Sequence, residues 1–205
     1  FSSRYSNEIK ELIIKDLTQR YFIVNSENEK CRNHKDGCFF NTNSNKKIYI
    51  VGDSHIEILA YDLKERVISK SYQFNTSIIT GCMIAPGFNF VDIKTQKITN
   101  CNDEYFSKII KTLLNEKKSI IIFEGLYPLY LNNTYFDNKE GGVEGFNYSR
   151  EFVPINYGSD IKKNFKSALE SISLNNYVIL VYPIPEVGWH LPRRLLSQIR
   201  IDIFK

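Results

Sequence analysis

The sequence predicts an α/β fold in which helices cover both faces of a parallel sheet. Three observations favour this class: short apolar runs typical of buried strands alternate with amphipathic helical segments, turn residues separate them, and the 205-residue chain is 42% hydrophobic and 24% charged. One domain is the simplest expectation for this length, and it would bury roughly two-thirds of the surface that the unfolded chain exposes. The composition excludes disordered, collagen-like and coiled-coil proteins.

The first predicted elements are a helical segment, a strand and a second helix. Residues 1–30 are predicted to form a helical lead-in or linker, because apolar residues recur there at helical spacing. The domain itself is predicted at 31–205. Its first strand, 46–51, breaks at Gly52, and the apolar periodicity of 56–67 predicts a helix directly after this turn.

Further strands and helices alternate along the chain. A strand at 72–80 ends before Gly81, and Asn102 is predicted to cap a helix whose apolar face continues to residue 114. The bare apolar run at 119–123 is typical of a central parallel strand that is buried on both faces. This alternation implies right-handed β-α-β crossovers.

The stretch 124–158 is predicted to be a long loop, because it is rich in Asn, Gly and Tyr and lacks periodicity. A loop of this length usually serves or covers a site. Ser159 and Asp160 then begin a helix that continues to residue 172, and 177–181 is predicted as a fourth strand. Ligands of such sheets bind at the carboxyl ends of the strands, so the residues that follow each strand are the candidates for a site.

The charge distribution and hydropathy disfavour two kinds of partner. Lys and Arg number 27 against 23 Asp and Glu, and the net charge of +4 is scattered, so nucleic acid is not expected as a partner. No stretch approaches the ~20 apolar residues of a membrane helix, and no signal region opens the chain. The chain starts at Phe1 and stops at Lys205 inside an apolar pattern, so we expect it to be a piece of a longer protein.

The four cysteines fall as two local pairs in turn-rich surroundings, Cys31 with Cys38 and Cys82 with Cys101. Their even number favours disulfides and an oxidising compartment, such as the bacterial periplasm or the cell exterior. Three connectivities are possible; closing the nearest cysteines costs the least chain entropy, and the longer loop, of ~20 residues, would contribute on the order of 3 kcal/mol. A zinc site is the competing interpretation, disfavoured because no C-x-x-C occurs and His34 is the only nearby imidazole.

The segment most informative about chemistry is Gly52-Asp53-Ser54-His55, between the first predicted strand and helix. A serine on this turn projects from the carboxyl edge of the sheet, close to the positive end of the helix dipole. Backbone N–H groups of the turn can stabilise an oxyanion, each by about 3 kcal/mol in the transition state. Alternatively, Asp53 or Ser54 caps the helix and has no catalytic role.

This segment resembles block I of the SGNH (GDSL-like) hydrolase superfamily, in the form of the SGNH domain that is fused to acyltransferase family 3 membrane proteins. Three other features are similar: a cysteine pair before the first strand, Gly81-Cys82 after the second strand with another cysteine before the next helix, and YPIPEVGWHLPR at 182–193. That last segment departs from the family signature at His190, where an acidic residue is usual. The resemblance covers about residues 31–194 and implies the flavodoxin-like, three-layer α/β/α sandwich of the superfamily.

The resemblance also implies roles for individual residues. Ser54 is the expected nucleophile, and the backbone N–H groups of Ser54 and Gly81 are the expected oxyanion donors. The Asn that provides a further donor in the superfamily has no match, and the segment 122–130 occupies its place. Glu124 and Glu186 either orient substrate hydroxyls or are solvated. Four residues are expected to bind substrate, the aromatic ones by stacking on sugar rings unless they serve only in packing: Asp53, Tyr127, Trp189 and His190.

The general base is missing from the visible pattern. A serine nucleophile needs an imidazole that is oriented by a carboxylate, and the superfamily supplies both in a late D-x-x-H. The chain has three histidines, and none follows an Asp or Glu by three positions. We therefore expect the D-x-x-H to lie beyond Lys205. The alternatives are His55, beside the nucleophile, and His190, after the last predicted strand.

The function that the resemblance implies is O-acylation of a cell-surface polysaccharide or lipopolysaccharide through an acylated Ser54, with acetyl as the expected group. A membrane acyltransferase domain would deliver the acyl group, and no cofactor or metal is expected. The domain would act in the periplasm or at the extracytoplasmic face of the inner membrane. Two alternatives stay open: a carbohydrate esterase of the SGNH type, in which water attacks the acyl-serine, and a carbohydrate-binding module that has lost the base.

Overall fold

The structure is a computed structural model that describes residues 22–34, 36–132, 137, 139 and 150–182. In these ranges, every helix is too short or too polar to cross a lipid bilayer. The strands and helices, in chain order, are β1 (Cys38–Phe40), β2 (Lys47–Gly52), α1 (Ile56–Ile68), β3 (Gln73–Ile78), β4 (Phe88–Asp92), β5 (Lys97–Ile98), α2 (Asp103–Asn115), β6 (Ile120–Glu124), α3 (Tyr127–Asn132), β7 (Arg150–Pro154), α4 (Ile161–Ser173) and β8 (Tyr177–Leu180).

Five strands of the described residues form the central sheet, in the order β1-β3-β2-β6-β8. Strand β2 lies parallel between β3 and β6, with Gly52 opposite both Ile78 and Glu124, and β8 extends the parallel set. The predicted parallel sheet is confirmed for these strands, but β1 pairs antiparallel with β3. A strand of three residues is too short to show a period of two, which is why the sequence does not predict β1.

Helices cover both faces of the sheet, as the sequence predicts. In β2, Ile48 and Ile50 point to a core shared with α1, whereas Tyr49 and Val51 point to a core shared with α2 and α4. Alternate residues of a strand face opposite sides of a sheet, so a strand that is apolar at every position needs a helix on each face. The fold is therefore a three-layer α/β/α sandwich.

Two predicted helix starts are confirmed by hydrogen bonds. The Asn102 Oδ1 accepts one from the Tyr105 N–H at 3.0 Å, and the Asp160 Oδ1 accepts one from the Lys163 N–H at 3.0 Å. Each bond satisfies an N–H group that lacks an intrahelical partner, so α2 and α4 begin where these residues stand in the sequence.

The part of the predicted helical lead-in that the structure describes, 22–30, is a turn and not a helix. Val24 forms a bridge with Lys30, and the Asn25 side chain accepts hydrogen bonds from the N–H groups of Glu27 and Glu29. Asn favours such turns because its side chain bonds the backbone a few residues further along. Residues 1–21 lie outside the described residues.

The predicted long loop at 124–158 contains regular structure in its described parts, namely α3 and β7. Strand β7 pairs antiparallel with β4, and β5 pairs with the other edge of β4 in a separate three-stranded sheet. The ring of Phe152 stacks on that of Phe90, with 4.6 Å between centroids. Cross-strand aromatic packing therefore stabilises a strand that the local pattern does not indicate.

The predicted cysteine pairing is confirmed. Cys31 is bonded to Cys38 and Cys82 to Cys101, with Cα–Cα distances of 5.5 and 5.7 Å. All four cysteines of the chain lie in the described ranges and none is a free thiol, so the zinc site built on them is wrong.

Candidate active site

The carboxyl ends of β2 and β6 lie side by side at the point where the strand order reverses. From β2 the chain moves to β3 on one side and returns to β6 on the other, which leaves a crevice between the loops that follow β2 and β6. Gly52 ends β2 opposite Glu124. A Cβ at Gly52 would lie 1.8 Å from the Glu124 carbonyl oxygen, so only glycine fits at this strand end.

Asp53 ties together the loops that follow these two strands. Its Oδ1 accepts a hydrogen bond from the His55 N–H at 2.8 Å and lies 2.9 Å from His55 Nδ1, while its Oδ2 accepts one from the Leu126 N–H at 3.0 Å. The residue is fully buried. Both carboxylate oxygens are thus engaged inside the protein, and a contact of Asp53 with substrate stays a prediction.

Ser54 lies on the turn that Asp53 holds, just before α1 begins at Ile56. The residue is partly exposed, and its hydroxyl forms no hydrogen bond with any described residue. Its carbonyl oxygen accepts a hydrogen bond from the Glu57 N–H at 3.4 Å. The Ser54 side chain therefore does not cap α1, and it lies at the positive end of the helix dipole.

Gly81 lies on the loop after β3, at the same edge of the sheet as Ser54. Beyond the last residue of β3, the Ile79 N–H still donates to the Gly52 carbonyl at 3.1 Å, which keeps this loop beside the end of β2. Gly81 has a φ of +64°, and a Cβ there would meet no atom closer than the Tyr130 hydroxyl, at 3.9 Å. The left-handed backbone, and not crowding, is the reason for glycine at this position.

Glu124 ends β6 with a buried carboxyl group, and the residue is only 3% exposed. Burial raises the pKa of this carboxyl group, the nearby Asp53 raises it further, and His55 opposes the shift. The alternation of β6 places Glu124 on the α1 side of the sheet, as it does Ile122. Sequence reasoning leaves the exposure of Glu124 open, since an acidic residue at the end of an apolar strand is the only signal.

Tyr127 is partly buried at the start of α3. Its ring packs against that of Phe165, with 5.6 Å between centroids. Burial raises the pKa of the Tyr127 hydroxyl, and the carboxylates of Asp53 and Glu124 raise it further. Tyr127 thus lies near the end of β6 with its ring in contact with Phe165, and its stacking on a sugar ring stays a prediction.

The structure brings together only some of the predicted site residues. Ser54, Asp53 and Tyr127 lie around the ends of β2 and β6, and Gly81 lies on the adjoining loop. Trp189 and His190, which are predicted to bind substrate, lie outside the described residues.

A cleft of about 210 Å³ lies elsewhere, between β3 and α2, and its lining includes neither Ser54 nor Gly81. Some of its polar side chains are engaged by neighbours: Lys108 pairs with Asp36, and the Asn75 Nδ2 donates to the Ile48 carbonyl at 3.2 Å. The buried Thr76 Oγ1, also in the lining, has no hydrogen-bond partner among the described residues. Because the proposed nucleophile and the proposed oxyanion donor at Gly81 both lie outside this lining, the cleft is not the candidate active site.

The fold is an α/β sandwich with a serine on the strand-to-helix turn at the switch point of its sheet, an arrangement that α/β hydrolases share. The model of one family, described as the SGNH domain fused to AT3 domains, matches residues 24–203. The chain belongs to this SGNH family, which relates it to serine-type hydrolysis or acyl transfer and to a membrane acyltransferase partner domain. Its two disulfides fit an extracytoplasmic domain. No curated protein and no solved structure matches the chain.

Proposed function

We propose that this chain is an extracytoplasmic acyl-transfer domain that O-acylates a cell-surface polysaccharide or lipopolysaccharide through an acylated Ser54, with acetyl as the expected group. A membrane acyltransferase domain is the proposed source of the acyl group. The observation that supports the proposal most strongly is the placement of Ser54 at the switch point, partly exposed, with a hydroxyl that bonds no described residue. A nucleophile needs such an accessible oxygen, whereas a capping hydroxyl would be occupied.

In the proposed first step, the Ser54 oxygen attacks the carbonyl carbon of the acyl donor and its proton passes to an imidazole base. The carbonyl oxygen becomes an oxyanion, which accepts hydrogen bonds from the N–H groups of Ser54 and Gly81 until the leaving group departs with a proton. In the second step, a sugar hydroxyl loses its proton to the base and attacks the acyl-serine, and the Ser54 oxygen leaves and is reprotonated. The positive end of α1 favours the oxyanion in both steps.

We place the base outside the described residues. The His55 N–H donates to Asp53 Oδ1 at 2.8 Å and the His55 Nδ1 lies 2.9 Å from the same oxygen, so His55 is assigned to holding the turn. The resemblance implies the histidine of a D-x-x-H as the base, and His190 is the alternative within the given sequence. The variants His55→Gln and His190→Gln test this assignment: acylation that survives His55→Gln supports it, whether or not His190→Gln abolishes acylation, and acylation that is lost only with a folded His55→Gln protein overturns it.

Acylation of Ser54 tests the proposal directly. Incubation of the full-length gene product with p-nitrophenyl acetate should add one acetyl group to the peptide that contains Ser54, as detected by mass spectrometry. Ser54→Ala should abolish this adduct and the O-acetylation of the cell surface. Ser69→Ala is the matched control, because Ser69 lies at the other end of α1 and its hydroxyl donates to the Arg66 carbonyl at 2.8 Å.

Unchanged surface acylation in Ser54→Ala cells would refute the enzymatic proposal and favour a carbohydrate-binding module. Transfer and hydrolysis are separated by the fate of the acyl group. A transferase should release it mainly as a glycan ester when a polysaccharide acceptor is added, whereas release mainly as the free acid would indicate an esterase.

A further inference from the structure

The loop closed by the Cys31–Cys38 disulfide contacts both turns that present the proposed oxyanion donors. We propose that Arg32 and Asn33, in this loop, are positioning residues that set the spacing between the backbone N–H groups of Ser54 and Gly81. This inference rests on the proposed function, because it assigns a catalytic purpose to the spacing. The contacts that support it lie on two sides of the loop.

On the first side, Asn33 holds the chain that leads into Gly81. The Asn33 N–H donates to the Ile78 carbonyl at 2.8 Å, the Thr80 N–H donates to Asn33 Oδ1 at 2.8 Å, and Asn33 Nδ2 donates to Thr80 Oγ1 at 3.2 Å. These bonds fix the residue directly before Gly81. The residue directly after it, Cys82, is fixed by its disulfide. The Gly81 amide is therefore held from both directions along the chain.

On the second side, Arg32 holds the first turn of α1. Its Nη1 lies 3.0 Å from Oε2 of Glu57, a residue that is 5% exposed. The Glu57 N–H donates to the Ser54 carbonyl at 3.4 Å, so Glu57 connects Arg32 to the backbone of the proposed nucleophile. The Glu57 carboxyl group is buried and the Arg32 side chain is partly exposed, so loss of Arg32 would leave the buried acid without this partner.

The loop itself is anchored to the edge of the sheet. Cys31 is fully buried, and its disulfide partner Cys38 lies in β1 opposite Thr76 of β3. Arg32 also forms a parallel bridge with Ile78, the last residue of β3. Consecutive residues of one anchored segment thus reach the Ser54 turn and the Gly81 turn, and a shift of either turn would have to break contacts with this segment.

The spacing matters because two donors stabilise one oxyanion only when both lie within hydrogen-bond distance of it. A misplacement of about 1 Å can cost on the order of a hundredfold in rate. Substrate binding in the ground state does not depend on the oxyanion donors to the same degree, so a defect in the spacing should lower kcat and leave KM nearly unchanged.

Asn33→Gly tests the inference, because Asn33 has a φ of +65° that glycine adopts readily, and only the side-chain bonds are lost. We expect kcat for a chromogenic acetyl ester to fall by about tenfold to a hundredfold in the full-length gene product, with KM changed by less than about twofold. Binding of a trifluoromethyl ketone, which mimics the tetrahedral intermediate, should weaken by a similar factor. Thr80→Val, which removes only one acceptor, should show a smaller loss in the same direction.

Asn41→Gly is the matched control. Asn41 has a φ of +52°, and its Nδ2 donates to the Tyr72 carbonyl at 3.0 Å, at the amino end of β3. Equal kcat in Asn33→Gly and Asn41→Gly, with Ser54→Ala inactive, would overturn the positioning role alone. Full activity of Ser54→Ala would instead refute the proposed function.

Discussion

The polar side chains at the two ends of the parallel sheet differ in how far they are hydrogen-bonded. At the amino end, the Glu116 carboxylate accepts hydrogen bonds from Lys47 Nζ at 2.9 Å and from Tyr49 Oη at 2.8 Å. Asn176 accepts one from the Ser119 N–H at 3.1 Å. Its Nδ2 donates, at 3.0 to 3.2 Å, to the carbonyl oxygens of Leu113, Glu116 and Ile172.

At the carboxyl end, the backbone is constrained and the Asp53 carboxylate is engaged, but the Ser54 side chain is not. Gly52 and Gly81 are required by a close approach and by a positive φ, whereas the Ser54 hydroxyl bonds no described residue. Burial raises the pKa of Glu124 here, but hydrogen bonds hold the pKa of Glu116 below its usual value although burial opposes them. The difference indicates that polar bonds stabilise the sheet at its amino end, whereas the hydroxyl of the proposed nucleophile at the carboxyl end contributes no such bond to the described residues.

Gly52→Ala is expected to have the largest effect on stability, because it adds an atom where β2 and β6 approach each other most closely at the carboxyl end of the sheet. The added Cβ would overlap the carbonyl oxygen of Glu124, which belongs to a buried central strand and has no room to move. We expect the free energy of unfolding to fall by at least about 3 kcal/mol, measured by urea denaturation under oxidising conditions. Gly125→Ala is the control, since a Cβ there would lie 3.5 Å from Asp53 Oδ2, an ordinary contact. Equal losses in both variants would contradict the close approach.

Asn176→Ala should give the next largest loss and tests the amino end. It removes the partner of the buried Ser119 N–H and of several carbonyl oxygens at once. We expect a loss of about 2–3 kcal/mol in the same denaturation assay, because buried polar groups left without partners are costly. The exposed neighbour Asn175 provides the control, and Asn175→Ala should be close to neutral. A neutral Asn176→Ala would show that the amino end does not stabilise the sheet in this way.

Glu124 and Glu116 should respond to pH in opposite directions. The raised pKa of Glu124 means that its contribution favours folding below the unfolded pKa, about 4.3, and is lost as the pH rises through the folded pKa. Glu124→Gln should therefore gain stability over the wild type as the pH rises from about 4 to 7. The lowered pKa of Glu116 contributes stability above the unfolded pKa that is lost as the pH falls, so Glu116→Gln should cost most near neutral pH. Urea denaturation at stepped pH would contradict this contrast if both variants changed with the same sign.

The parallel part of the fold could be predicted from the sequence because its signals are local. The strand that ends at Gly52, the helix after it and the helix starts at Asn102 and Asp160 each depend on neighbouring residues. The small antiparallel sheet could not be predicted in this way. Its pairing depends on the contact between Phe90 and Phe152, which only the folded chain brings together.

The candidate site likewise has features that local sequence predicts and features that it does not. The turn position of Ser54 follows from the strand before it and the helix after it, so the sequence predicts it as a nucleophile. The burial of Asp53 could not be predicted, because the Leu126 N–H that it binds lies 73 residues away. The hydrogen bond between Asn33 and Thr80 could not be predicted either, because the two residues lie 47 positions apart and no local pattern links them.

Ser54→Ala should have the smallest effect on stability and gives the sharpest test of the contrast between the two ends. Because the hydroxyl bonds no described residue, we expect the free energy of unfolding to change by less than about 0.5 kcal/mol. Asn102→Ala, which removes a cap bond to the Tyr105 N–H, should cost about 1 kcal/mol in the same urea assay. If Ser54→Ala cost as much, the hydroxyl would be supporting the start of α1, and the carboxyl end would be a stabilised end like the amino one. If it does not, a loss of surface acylation in Ser54→Ala cells can be assigned to the missing oxygen and not to unfolding.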